Sequence, residues 1–399
     1  MTHATPIRYA TFDTRIGRCA IAWGESGIVG FFLPEKTAAA TVRRARERLG
    51  DALVEAEPTA TIARTMDGVR ALLEGELSAH ETLARAKLDF AAVPEFHRKV
   101  YERAREIRPG EVRSYAKLAE QAGSAKASRA VGQSMAKNPF PVIVPCHRVL
   151  AANQKIGGFS APGGVETKLK MLAIERDAAL RASSAQRFAF DPDEAVAHLR
   201  KSDRTLKSLV DRVGAFSMKL DPTPSVFTAL AQAIAYQQLT GKAAETIWTR
   251  VVGLFPYRAE GPDPALVAKT SHETLRSAGL STAKALAMSD LAKKCVDHTV
   301  PTLEQLSALD DATVIERLTS VRGVGRWTVE MLLMFRLGRP DVLPVDDYGV
   351  KKGFQRTFGG ELPTKAVMLE RAQKWAPFRS VASWYLWRAN ELPQPSQHE

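Results

Sequence analysis

Residues 141–149 read Pro-Val-Ile-Val-Pro-Cys-His-Arg-Val, with two prolines four positions apart around a β-branched apolar core. Proline fixes φ and removes a backbone donor, so this stretch cannot lie within a helix and has few folds open to it. The apolar run predicts a short buried strand over 141–144, turned by Pro145, with Cys146 presented at its end. A thiol near its free pKa is mostly protonated at neutral pH, so a reactive cysteine needs a neighbouring base or positive field. His147 and Arg148 stand beside it to supply both. A lone cysteine is more often a buried, inert residue, so its surroundings must decide.

Residues 114–122 and 124–136 carry helical periodicity on either side of Gly123, the pattern of a helix-turn-helix. Charge concentrates there. Residues 91–180 hold fifteen Lys/Arg against eight Asp/Glu, a net of +7, whereas residues 1–90 are neutral by the same count. Such a footprint fits phosphate binding.

Around the cysteine lie Gly110-Glu111-Val112-Arg113-Ser114-Tyr115, Ser128-Arg129-Ala130-Val131-Gly132 and Asn138-Pro139, followed by Gly157-Gly158-Phe159-Ser160 and Gly163-Gly164. Together with Pro145-Cys146-His147-Arg148-Val149, this ordered set resembles the O6-alkylguanine-DNA alkyltransferases over most of residues 95–175. The resemblance implies a set of Cys146 as nucleophile, His147 as base and Glu175, at the end of a helix, as the group that orients His147. It further implies that Tyr115 donates a proton toward the guanine and that Asn138 ties the turn to the active-site backbone. Arg129 would fill the gap left by an extruded nucleotide, Ser114 would contact DNA and Ser160 would line the pocket. Ala161-Pro162 stands as a two-residue insertion relative to some relatives. The implied reaction moves the alkyl group from guanine O6 to sulfur once, with no turnover.

The 399 residues, 45% apolar and 25% charged, suggest a globular protein of two to four domains. A formal net charge of +12 favours an acidic partner such as nucleic acid, and a membrane surface would also attract it. No stretch approaches the roughly 18 uninterrupted apolar residues of a spanning helix, and Met-Thr-His-Ala-Thr-Pro is no signal-peptide core. A cytoplasmic monomer is expected. Cys19, Cys146 and Cys295 lie too far apart in sequence for a Cys-x-x-Cys metal pair, which excludes a cysteine-ligated zinc module or four-cysteine iron–sulfur cluster. Cys19 and Cys295 are read as structural thiols. Residues 7–34 alternate as a small sheet with hairpins, helical periodicity takes over at 38–49 and 60–75, and the Ala/Ser/Arg-rich stretch near 178–188 is read as a linker.

From about residue 190 the pattern is almost entirely helical. Its informative segment is Leu318-Thr319-Ser320-Val321-Arg322-Gly323-Val324-Gly325-Arg326-Trp327-Thr328. Gly323 and Gly325, lacking Cβ atoms, would let N–H groups at the following helix start approach a phosphate. With Leu343-Pro344-Val345-Asp346-Asp347-Tyr348, Tyr236-Gln237-Gln238-Leu239 and Tyr385-Leu386-Trp387-Arg388, the chain resembles the helix-hairpin-helix DNA glycosylases, nearest to the 3-methyladenine glycosylase II branch. The resemblance implies Asp347 as the carboxylate that stabilises positive charge on the sugar, with Asp346 a capping or structural carboxylate. Bifunctional relatives have a lysine where Trp327 stands, so simple hydrolysis to an abasic site is implied. Trp327 would also attract a cationic alkylated purine, and Trp387 and Tyr236 serve equally as pocket walls or core. Gln238 or Leu239 would be the wedge in the duplex, and carbonyls of Thr319, Val321 and Gly323 could hold Na⁺ or K⁺. No other cofactor is expected. The β-rich N-terminal subdomain of longer relatives has no counterpart here.

The expected fold is therefore multidomain, α/β plus all-α. Residues 1–90 form a small α/β lobe, 91–180 a helix-turn-helix lobe with the alkyl-transfer site, 181–189 a linker, and 190–399 the helical glycosylase. The expected partner is double-stranded DNA containing alkylated bases. A lesion sensor with an inactive site, or a glycosylase for uracil, mismatched or oxidised bases, are the alternatives.

Overall fold

The computed structural model describes residues 6–50, 53–183 and 188–393, and the chain divides into two compact units. The first contains residues 1–183 and 241–263, the second residues 184–240 and 264–399.

In the first unit, β1 (Arg8–Thr14), β2 (Gly17–Trp23) and β3 (Ile28–Phe32) form an antiparallel meander, and β4 (Val54–Glu55) adds in parallel to β1, giving the order β3-β2-β1-β4. Alternation along β2 sends Cys19 and Ile21 to one core and Ala20 and Ala22 to another, so both sheet faces are covered. Helix α1 (Ala38–Leu49) packs on β2 and β3, and α2 (Ala60–Glu74) on β1. Cys19 is fully buried, and burial pushes its thiol up to about 12, as suits a structural residue.

The chain continues through α3 (Ala79–Ala84), α4 (Glu95–Arg105), α5 (Tyr115–Gln121), α6 (Ser128–Ala136) and α7 (Gly164–Ser183). A two-stranded parallel pair, β5 (Arg113–Ser114) and β6 (Val149–Leu150), joins the start of α5 to the active-site turn. Val100, Tyr101, Leu118, Val131 and Phe140 are all buried in one cluster with the sheet residues Phe12 and Ile21.

Three local expectations change. Residues 141–144 are a turn rather than a strand: Val142 has φ 72°, and Val144 N–H bonds to the Phe140 carbonyl at 2.8 Å. The cause is Asn138, whose amide accepts from Phe140 N–H and donates to the Val144 carbonyl, both at 2.9 Å, so a side chain replaces the strand partner. Residues 124–127 lie outside helix α6, which begins at Ser128. Helix α7 does not end at Glu175 but runs to Ser183, which takes the first part of the expected linker; residues 184–187 lie outside the described residues.

The second unit begins with α8 (Pro192–Ser202), α9 (Arg204–Val213) and α10 (Val226–Tyr236). The two units divide at Ser183/Ser184, and the chain then returns to the first unit over residues 241–263, which include α11 (Gly241–Gly253). Back in the second unit come α12 (Pro264–Lys269), α13 (His272–Ser277), α14 (Thr282–Val296), α15 (Leu303–Ala308), α16 (Asp311–Thr319), α17 (Arg326–Phe335), α18 (Tyr348–Phe358), α19 (Lys365–Ala372) and α20 (Arg379–Ala389). Its described residues include no strand. Leu206, Val210, Phe354, Met368, Trp375 and Tyr385 share its core. Helices α18 and α20 cross closely because Gly353 has no side chain; a Cβ there would fall inside the Leu386 carbonyl. Among the described residues no helix is long and apolar enough to cross a membrane.

Candidate active sites

The first site is built around the Asn138 turn, which delivers Cys146 to the head of a short 3-10 turn, Cys146–Arg148. Cys146 is 6% exposed, at the floor of a pocket lined by Phe32, Met135, Asn138, Phe159 and Ser160, with Arg44 and Arg48 from α1. Ser160 is fixed by donating to the Ala136 carbonyl at 2.8 Å. Burial raises the Cys146 pKa, while the Asn138 amide and the Lys168 ammonium pull it down. The net direction is upward, so the resting group is a thiol and needs a base.

His147 and Glu175 meet at 2.9 Å through Nε2 and Oε1, both almost fully buried. His147 Nδ1 is buried without a hydrogen-bond partner among the described residues. Burial lowers the His147 pKa against the opposing pull of Glu175, which leaves the ring neutral and able to accept a proton. Burial works against charge on Glu175 too, but His147 and Arg148 outweigh it and hold the carboxyl down at about 2. Arg148 donates from Nε and Nη2 to Glu175 at 2.7–3.1 Å and from Nη1 to the Ile107 carbonyl at 2.6 Å. Gly110 N–H adds a further donor at 3.3 Å.

Arg148 therefore does not supply the field at sulfur: its charge is paired with Glu175. That task falls to Lys168, which sequence reasoning missed. Lys168 is fully buried, donates to the Val149 and Ile156 carbonyls at 2.7 and 2.8 Å, and burial brings its pKa down to about 8. The available signal was spacing, since Lys168 and Glu175 lie seven residues apart, on one face of α7.

Tyr115 opens α5 half-buried, its phenol pKa raised by burial and by Cys146. Ser114 is the N-cap of that helix and accepts from Lys117 N–H at 3.1 Å, a local structural task beside any contact with DNA. Arg129 lies exposed near the start of α6.

The second site gathers Asp347, Trp327 and Trp387. Trp327 Nε1 donates to Asp347 Oδ2 at 2.9 Å, and Trp387 Nε1 to Oδ1 at 2.8 Å. Asp347 is also the N-cap of α18, accepting from Val350 N–H at 2.8 Å. Of the two readings of Asp346, the capping one falls, because the cap is Asp347 itself while Asp346 is exposed. Three N–H donors suit an ionised carboxylate in a fixed orientation. Gly349 makes room for Trp387, whose indole would meet a Cβ there at 2.8 Å. Trp387 is half-buried against Phe335, and Trp327 is 47% exposed. Trp387 thus packs at the edge of the core of the second unit.

The hairpin between α16 and α17 has Gly323 at φ 74°, with Gly325 exposed as the N-cap of α17. No side chain caps that helix, so its first N–H groups face outward at the positive end of the dipole. Asp290 on α14 anchors the turn by accepting from Arg322 N–H at 2.8 Å and Lys294 at 3.0 Å. Gln237 donates to the Gly323 carbonyl at 2.8 Å, and Lys284 grips the Ala235 and Gln237 carbonyls. Neither Asp290 nor Lys284 carried a motif signal. Tyr236 ends α10 half-buried, while Gln238, at φ 56°, and Leu239 are both exposed. Nothing in the geometry selects one of the two as a wedge.

Residues 95–177 match the family described as 6-O-methylguanine DNA methyltransferase, DNA binding domain, and residues 231–378 match the HhH-GPD superfamily base excision DNA repair protein. The chain is 36% identical over 201 residues to DNA-3-methyladenine glycosylase 1 of Schizosaccharomyces pombe, spanning 49% of this chain and 86% of that protein. It is 32% identical over 170 residues to the methylated-DNA–protein-cysteine methyltransferase of Mycolicibacterium paratuberculosis, spanning 43% of this chain and 93% of that protein. This chain belongs to both families. It also aligns with a solved structure of Schizosaccharomyces pombe 3-methyladenine DNA glycosylase in complex with abasic DNA, at 34% identity and a TM-score of 0.44, over 51% of this chain and all of that one. The methyltransferase match covers Cys146, His147 and Glu175, and the superfamily match covers the hairpin and Asp347.

Proposed function

We propose that this chain repairs alkylated double-stranded DNA at two separate centres, one taking O6-alkyl groups onto Cys146 and the other releasing N-alkylated purines. The observation that carries the reading is that each centre is internally complete: a thiol with a buried His–Glu pair, and a carboxylate held by two indoles.

At the first centre, His147 Nδ1 takes the Cys146 proton while Glu175 steadies the imidazolium. Sulfur attacks the alkyl carbon, the C–O6 bond breaks, and Tyr115 protonates the departing guanine. The product thioether has no route back, so each molecule acts once. Exposed Arg129 takes the place of the nucleotide rotated out of the stack.

At the second centre, the N-glycosidic bond breaks toward a cationic sugar that Asp347 stabilises, and water completes the hydrolysis. The exposed face of Trp327 attracts the positively charged alkylated base, worth roughly 0.5–2 kcal/mol. No lysine stands at that position, so borohydride trapping yields no covalent DNA adduct. The outward N–H groups at the α17 start receive a DNA phosphate. A monovalent cation on the Thr319, Val321 and Gly323 carbonyls fits the hairpin, since Gly323 O, engaged by Gln237, retains a second lone pair. The working form is a cytoplasmic monomer.

The test is intact-protein mass spectrometry after incubation with duplex carrying O6-methylguanine, alongside release assays on duplexes with 3-methyladenine, uracil or 8-oxoguanine. One methyl group on Cys146 and preferential 3-methyladenine release are expected. An unmodified Cys146, or preferential uracil release, overturns the corresponding half.

A further inference from the structure

We infer that residues 241–263, which lie within the stretch matching the glycosylase superfamily, position the alkyl-transfer site of the first unit, with Tyr257 as the central side chain. The inference deepens the alkyl-transfer reading and rests on it.

Helix α7 is held from two directions. Lys168 and Glu175 turn to the active-site turn, while Leu169 and Leu172 join a separate cluster with Leu150, Ile156 and the 6%-exposed Tyr257. The seam between α7 and α11 is closed by Arg250–Glu166 at 2.5 Å and Lys170–Glu245 at 3.5 Å. At Gly253, a Cβ would stand 2.9 Å from Leu169, so the two helices meet where α11 has no side chain.

Tyr257 acts at a stretch of left-handed backbone. Asn153 and Gln154 both sit in the left-handed region, at φ 55° and 58°, a conformation that costs non-glycine residues energy and persists only when neighbours enforce it. Tyr257 N–H donates to the Gln154 carbonyl at 2.8 Å, and its ring packs on Ile156 two residues on. The Ile156 carbonyl accepts from Lys168, and three residues later Phe159 and Ser160 form the wall of the Cys146 pocket. Tyr257 therefore fixes the root of the loop whose tip shapes the pocket and whose middle holds Lys168. It is a positioning residue: it touches neither thiol nor base.

The experiment uses the full chain and single-turnover transfer from O6-methylguanine duplex across a range of DNA concentrations, which separates the saturating rate from Kd. Tyr257→Ala is expected to lower the saturating rate at least tenfold with Kd within twofold and 3-methyladenine release retained. Tyr257→Phe is expected to keep the full rate, because the buried hydroxyl has no hydrogen-bond partner among the described residues. A full saturating rate in Tyr257→Ala, or a loss confined to Kd, overturns the inference. Should Tyr257→Ala not fold, Arg250→Glu sets two carboxylates together at the α7–α11 seam. Slowing that Glu166→Arg reverses supports the inference, and an unchanged rate overturns it. Failure of the unaltered chain to transfer would instead sink the alkyl-transfer reading itself, and this inference with it.

Discussion

Replacing Glu175 by Gln tests how the first site is held together. The change keeps the size and one acceptor oxygen but removes the charge that faces His147 and Arg148. Arg148 is 1% exposed, so its guanidinium is left buried without a counter-charge, a loss of about 3–5 kcal/mol. Titration gives a second route to the same quantity. The Glu175 carboxyl falls from 4.5 to about 2 in the fold, worth about 3 kcal/mol at 1.36 kcal/mol per pKa unit. Because the folded value is the lower one, this stability is fully present above about pH 5 and is lost as pH falls toward 2. Native-state hydrogen exchange at the α7 amides reads it locally, without assuming that both units unfold together. The unaltered chain should lose about 3 kcal/mol of α7 protection between pH 5 and 2. Glu175→Gln should lack that protection at pH 7 and lack the acid-dependent loss. Equal protection at pH 7, or the same acid loss in both proteins, would refute the argument that the Arg148–Glu175 charge pair supports this helix.

Three further outcomes follow from the geometry. Cys146→Ala should abolish methyl transfer with base release intact and Asp347→Asn the reverse, measured in parallel; either change eliminating both activities in folded protein contradicts two independent centres. Asparagine also caps helices well, but its Nδ2 cannot accept from Trp327 Nε1, so Asp347→Asn should cost about 1–3 kcal/mol of stability. Lys168→Met removes the ammonium that pulls the Cys146 thiol down, so the pH profile of Cys146 alkylation by iodoacetamide should move to higher pH; in the unaltered chain that pull is full at pH 7 and fades above about 8, where Lys168 deprotonates. An unmoved profile would mean that Lys168 only braces the Val149 and Ile156 carbonyls. Gly323→Ala forces a Cβ into the left-handed region and 3.3 Å from the Ala287 Cβ, so it should cost about 1–2 kcal/mol and weaken duplex binding, read by denaturation and fluorescence anisotropy.

What the amino-acid sequence determined by itself was the inventory of candidate groups and the order in which they occur. Cys146, His147, Asn138, Gly323 and Asp347 sit in short contiguous motifs because each needs a particular local backbone, and local backbone is written in adjacent residues. Alternation along β2 and the helical periods of 38–49 and 60–75 were legible for the same reason. Partnerships across long separations were decided only by the tertiary structure. Arg148 could be read as the thiol's field until α7 brought Glu175 to it and Lys168 to the neighbouring carbonyls. The strand expected at 141–144 gave way to a turn because one amide, Asn138, satisfied its backbone from the side. Asp347 as helix cap and indole partner at once became visible only when the Gly349 and Gly353 seam set Trp387 against it. Likewise, residues 241–263 resemble one family yet fold into the unit that carries the other chemistry, since burial is settled by which apolar surfaces meet in space, a relation that no local pattern encodes.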